Sequence, residues 1–217
     1  MENPLPRRTD TDKETARIEA FSDGVFSIAI TLLVLDIHVP SIEQADATGL
    51  LSQLLHLWPN LLAFVASFFF ILVMWINHHR LFTLIRRSDN NLLLLNGLLL
   101  FGVILVPFPT ALVAEYLQHQ DEATAVMVYT GWFLIIAIFF NVLWRYAAHD
   151  NRLFTEKTDR QLAAAITRQY SFGIPLYLSA LLVAVFSPLL SLIISIVLAI
   201  FFALPSKGIT QLIDADR

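Results

Sequence analysis

The chain contains no cysteine, which excludes disulfides and thiolate chemistry. Charge is scarce too: only 15% of the residues are charged, against about a quarter in a soluble domain. No Gly-rich phosphate loop, nucleophile elbow, or Ser-Lys or Ser-His spacing is present, so neither an enzyme nor a cofactor is expected. Segments of alternating polarity, the signature of a membrane β-barrel, are missing as well. The first sixteen residues lack the apolar core and cleavage site of a signal peptide. They are expected to be a polar cytoplasmic tail.

What the chain has instead is apolar length. Hydrophobic residues make up 57% of it, gathered in continuous runs of about 20, the length that spans a hydrocarbon core. Backbone groups in lipid must be satisfied within the segment, so the runs are helices and the fold class is all-α and polytopic. Six transmembrane helices are expected, at Ile18–His38, Leu54–His78, Leu92–Ala114, Ala123–Tyr146, Tyr170–Phe186 and Pro188–Leu204. They form one domain, residues 17–205, between an N-terminal tail (1–16) and a C-terminal tail (206–217). Ser187-Pro188 reads as a cap followed by a first-turn proline, closing the last two helices into a hairpin. Pro107, Pro109 and Pro175 are expected to kink their helices and free carbonyls that neighbours must satisfy.

The charges orient the bundle. All 14 Lys and Arg residues fall before helix 1, after helix 2, between helices 4 and 5, or after helix 6. The opposite loops carry Glu43, Asp46, Glu115, Asp121 and Glu122 and no base. By the positive-inside rule both termini are then cytoplasmic. The basic loops have few interleaved aromatics and face a membrane, so no nucleic acid is expected as a partner.

Helix 1 is the unusual span. Arg17, Ser22 and Asp23 stand at its entrance, and ionisable groups in a membrane helix are costly enough to signal function. Arg17 and Asp23 are six apart and point to different sides, so an intrahelical pair, which needs a spacing of three or four, is excluded. Their expected partners are the cluster Asn77-His78-His79-Arg80 and Asn96. His78 and His79 are adjacent and diverge by about 100° on a helix, so no metal site is expected. A pH-sensitive hydrogen-bond role suits them better. Deeper in the span, Ile28, Thr31 and Leu35 follow the i, i+3, i+7 spacing of one stripe, with Gly24 ahead of them. Such a stripe serves either helix packing or a pore wall. The ionisable entrance favours the pore, where branched apolar residues form a hydrophobic constriction.

The motif Arg17-x-x-x-Phe21-Ser22-Asp23, with Trp75-x-x-His78-His79-Arg80, Asn96 and Pro107-Phe108, resembles the transmembrane protein 175 family of potassium channels in its short prokaryotic form. The resemblance implies a homotetramer in the bacterial cytoplasmic membrane, with helix 1 of each subunit lining a central pore and no carbonyl filter. It places the constrictions on Ile28 and Leu35 and the selectivity hydroxyl on Thr31, with potassium permeating beside these three residues. It also assigns Arg17, Phe21, Ser22, Asp23, Trp75, Asn77, His78, His79 and Asn96 to a structural polar network. Potassium ions and membrane lipids are the implied partners. A proton-coupled transporter using Asp23, His78 and His79, a membrane enzyme using the two histidines, and a structural adaptor are the alternatives.

Overall fold

The computed structural model describes residues 10–151, 153, 154 and 160–204, and all regular structure among them is helical. The residues before 10, most of the basic loop around Lys157 and the C-terminal tail at 206–217 lie outside the described residues. Helix α1 (Asp10–Leu32) runs into a short 3₁₀ turn, Leu33–Asp36. Then come α2 (Ile42–Thr48), α3 (Leu50–His56), α4 (Trp58–Leu84), α5 (Asn90–Ile104) and α6 (Pro107–Tyr116). They are followed by α7 (Glu122–Ala148), α8 (Arg160–Ser171), α9 (Gly173–Ala184) and α10 (Pro188–Ala203).

Among the described residues, four stretches are long and apolar enough to cross a membrane: Thr15–Asp36, Trp58–Leu84, Asn90–Tyr116 and Glu122–Ala148. At 22 to 27 residues they rise about 33–40 Å. Helices α9 and α10 are shorter, with 12 and 16 residues. Their hairpin is closed by the Ser187 side chain, which accepts from the Leu190 amide at 3.4 Å, with Pro188 in the first turn. The Ser191 hydroxyl crosses from α10 to the Ala180 carbonyl at 2.8 Å. Ala180 and Ala184 are both fully buried, and small residues of this kind let membrane helices approach closely.

The helix boundaries depart from the sequence expectation in three places. The first helix starts at Asp10, well before Ile18, because a helix satisfies its own backbone in water as it does in lipid. Leu54 belongs to α3, and the second span begins at Trp58 and runs on to Leu84. Tyr170 belongs to α8, and the fifth span begins at Gly173. Pro175 causes that last break: it has no N–H for the Ser171 carbonyl, and its ring crowds the preceding turn. The neighbouring Tyr170 carbonyl is taken instead by the Asn141 amide at 2.7 Å.

Pro107 splits the third span in the same way, leaving α5 and α6 joined by i→i+3 bonds from Val106 to the Val103 carbonyl and from Phe108 to the Leu105 carbonyl, each 3.1 Å. The Gly102 carbonyl, released by Val106, accepts from Trp132 Nε1 of α7 at 2.8 Å. Pro109 sits inside the first turn of α6 without interrupting it. Gly102 is held against α7 so closely that a Cβ there would lie 3.1 Å from Ile136 Cγ1 and 3.3 Å from Phe139 Cδ2. Gly102→Val should therefore destabilise the bundle by about 1–3 kcal/mol. The measurement is thermal unfolding in detergent, and an unchanged Tm would show that α5 and α7 have slack.

Helix α7 is the central element, packing on α5, α6, α8, α9 and α10. Its Tyr129, Phe133, Ile136, Leu143 and Trp144 are fully buried. Helix α1 lies at the margin, against α4 and α5. That placement leaves one of its faces uncovered.

Candidate functional site

The two faces of α1 differ in chemistry. Thr15, Ile18, Ser22, Phe26 and Ala29, followed by Leu33, form the buried stripe, at the i, i+3, i+4 spacing of a helix packed on its neighbours. Within it, Ser22 is the polar anchor. Its hydroxyl donates to the Ile18 carbonyl at 2.8 Å, so its oxygen is free to accept from Asn96 Nδ2 of α5 at 3.0 Å. That bond orients the Asn96 amide and leaves Oδ1 to accept from His78 Nε2 of α4 at 2.9 Å. The direction of the chain thus assigns the proton of neutral His78 to Nε2. Its Nδ1 is buried with no partner among the described residues. The imidazole is held between Phe26, at 5.4 Å, and Phe82, stacked at 4.5 Å. Three helices therefore meet in one directed hydrogen-bond chain inside the bundle.

Two further bonds flank it. Trp75 Nε1 donates to Asp23 Oδ1 at 2.8 Å, and His79 Nδ1 meets Glu19 Oε1 at 2.8 Å. Trp75 and His79 are one turn apart on α4, Asp23 and Glu19 one turn apart on α1, so the pairs stack as successive rungs. The partner of Asp23 is thus Trp75 and not the cluster expected from the sequence; His79 and Asn96 bind Glu19 and Ser22 instead. Glu19 was not singled out in the sequence. Its spacing of four from Asp23, matching the Trp75–His79 spacing, was the available signal.

The opposite face of α1 is open. Arg17, Ala20, Phe21, Gly24, Ser27, Ile28 and Thr31 form it, continued by Leu35 in the 3₁₀ turn. Phe21 and Leu35 are each 67% exposed and Ile28 53%. A Cβ on Gly24 would meet nothing within 4 Å. Thr31 donates its hydroxyl to the Ile28 carbonyl at 2.9 Å. Its oxygen lone pairs remain, so toward the open face this hydroxyl acts only as an acceptor.

Comparison with known proteins covers this same region. Residues 17–107 match the family model of the endosomal/lysosomal potassium channel TMEM175. A potassium channel of Chamaesiphon minutus is 56% identical over 195 residues, which is 90% of this chain and 96% of that protein. The chain belongs to the TMEM175 family. A potassium channel of Streptomyces collinus is 44% identical over 163 residues, 74% of this chain and 77% of the relative. The crystal structure of a lysosomal potassium-selective channel TMEM175 homolog from Chamaesiphon minutus superposes with a TM-score of 0.82. That match is 54% identical and covers 88% of this chain and 97% of the other. This is therefore a membrane protein with the TMEM175 channel fold.

The segment matched to the TMEM175 model holds every contact between α1 and the helices behind it described above. It does not join all the residues the sequence grouped. Phe21 is outside the hydrogen-bonded set, because the apolar ring sits on the open face. Asn77 turns away from α1 and donates to the Val73 carbonyl at 2.9 Å and the Phe202 carbonyl at 3.1 Å, tying α4 to the end of α10. Arg17 has no ion-pair partner among the described residues and lines an open cleft of about 680 Å³ with Phe21, Asp89 and Asn96. At the far end of the span, Asp36 shares a cleft of about 290 Å³ with His38, Asn60 and Glu115. One Asp36 carboxylate oxygen is buried there without a partner among the described residues.

Proposed function

We propose that this TMEM175 protein is a passive, potassium-preferring cation channel in a bacterial cytoplasmic membrane, assembled as a homotetramer with α1 of each subunit lining the axis. The observation that carries this reading is the division of α1: one face is fastened to α4 and α5, and the other is uncovered from Arg17 to Leu35. One subunit with a single open helix face does not enclose an aqueous path, whereas cyclic symmetry brings identical faces around an axis. In that arrangement Ile28 and Leu35 are apolar constrictions that gate by dewetting. Thr31 offers an acceptor oxygen between them, as a dehydrating cation requires. The potassium-channel names of the Chamaesiphon and Streptomyces relatives support the choice of ion.

The same reading gives six spans, the short hairpin of α9 and α10 completing the four long ones, and both termini on the cytoplasmic side. The placement of Arg80, Arg86, Arg87, Arg145 and Arg168 opposite Glu115 and Glu122 in the chain supports this orientation. With Asp36 at the outer end of α1, the acidic side raises local cation concentration. No catalytic step and no cofactor enters this mechanism.

The test is potassium efflux from proteoliposomes, with sodium and proton controls, together with a mass measurement in detergent. Downhill potassium flux and a four-subunit mass are expected. Flux that saturates and requires a pH gradient would replace the channel by a proton-coupled transporter. Thr31→Ala should lower the preference for potassium over sodium at an unchanged Tm, and identical reversal potentials in the two proteins would remove Thr31 from selectivity.

A further inference from the structure

A second site lies behind the pore helix, between α4, α7, α9 and α10. A cavity of about 60 Å³ is walled there by Phe70, Phe133, Phe140, Tyr177 and Phe202, with Asn77 and Asn141 among its lining residues. It is kept open by Gly173, where a Cβ would lie 3.4 Å from the Phe202 ring and 4.0 Å from Asn141 Nδ2. Both asparagines spend donors on broken helix ends: Asn77 on the Phe202 carbonyl, Asn141 on the Tyr170 carbonyl.

One turn beyond each asparagine, toward the basic end of the bundle, stands an arginine. Arg80 follows Asn77 on α4 and donates to the Ala203 carbonyl at 3.0 Å. Arg145 follows Asn141 on α7 and reaches Asn141 Oδ1 at 3.5 Å and Ser171 Oγ at 3.4 Å. Neither has a carboxylate partner among the described residues. A guanidinium offers five N–H donors, so most of the donors of both side chains are unused. Two such cations, each one turn from an asparagine that lines the aromatic-walled opening between membrane helices, match an amphiphile with an anionic head and an apolar stem.

We propose that Arg80 and Arg145 bind the phosphate of an anionic phospholipid, whose glycerol and first methylenes enter the opening between α4, α7, α9 and α10. The lipid belongs to the leaflet at the basic end of the helices. It fastens α9 and α10 to α4 and α7 where Pro175 has interrupted the helical ladder.

The experiment uses the full chain in detergent, with phosphatidylglycerol or phosphatidylcholine added, read by native mass spectrometry and thermal unfolding. Phosphatidylglycerol should be retained as an adduct and raise Tm, and phosphatidylcholine should do neither. R80Q/R145Q should weaken phosphatidylglycerol retention roughly thirtyfold and Arg145→Gln alone roughly fivefold. The single variant removes only long bonds and keeps the fold in place if the double variant does not. Arg168→Gln, an exposed cation on α8, should change nothing. Equal losses in Arg168→Gln, undiminished retention in Arg145→Gln, or the same Tm rise from inorganic phosphate would each overturn the lipid site. None of these readouts depends on conduction, so they stand or fall apart from the channel reading.

Discussion

Ile28→Asn should raise potassium flux on the order of tenfold or more, because each ~1.4 kcal/mol removed from a barrier is a factor of ten. In the proposed tetramer four isoleucines would surround the axis, and a narrow apolar ring expels water before it excludes an ion. The amide of asparagine has as many heavy atoms as the isoleucine side chain but is smaller, and it supplies donors and acceptors that keep a water column in place. The gain should therefore come from hydration of the ring together with some added width. Because Ile28 is 53% exposed, Tm should move little. Single-channel recording or fluorescent flux from proteoliposomes measures the effect. A stable variant with wild-type current would remove Ile28 from the constriction and point to Leu35 as the narrowest ring.

Asn96→Leu should act in the opposite sense, on assembly before conduction. The substitution keeps the heavy-atom count and the branching at Cγ but deletes the acceptor of His78 Nε2 and the donor to Ser22, both inside the bundle. A buried polar group stripped of its partner costs about 1–3 kcal/mol; His78 is stripped here, while Ser22 loses one bond and keeps its own to the Ile18 carbonyl. His78, whose Nδ1 already lacks a partner among the described residues, is left with no side-chain hydrogen bond. The Tm in detergent should fall by roughly 3–12 °C, and the proposed tetramer should dissociate at a lower temperature than the wild type. A variant with wild-type Tm and mass would mean that helix packing alone holds α1, and the polar chain would need another purpose.

The fold was legible where lipid imposes its rules. A membrane allows few backbone solutions, so apolar length revealed the long helices, and Pro107 marked the division of the third span between Ile104 and Pro107. The α1 contacts were legible in part. Ser22, Asn96 and His78 are polar residues in otherwise apolar helices, and the basic loops place all three near one end of the bundle. What escaped was pairing in detail. Asn77 and Arg80 bind the Phe202 and Ala203 carbonyls, backbone acceptors that exist because α10 stops there and that no side-chain pattern displays. Asp23 takes Trp75 because a Trp of α4 sits one turn above His79, a register set by packing rather than by charge. Phe21 lies inside the motif and outside the hydrogen bonds, since proximity in sequence says nothing about which side of a helix is covered. Pro175 signalled an interruption of the fifth span and a carbonyl for a neighbour to take, but an apolar run does not show where the helix divides, and Tyr170 falls on α8.

The two-sided build of α1 also separates what folding demands from what conduction demands. Ser22, Phe26, Ala29 and Leu33 answer to the helices behind them, and any change there is tested at once by the stability of the subunit. In the proposed pore Ile28, Thr31 and Leu35 would answer to one another across the axis and to the ion between them. On the proposed fourfold reading the passage could be retuned one residue at a time without renegotiating the bundle, and a single substitution in one gene would be copied four times around the ring, so small chemical steps would arrive already multiplied.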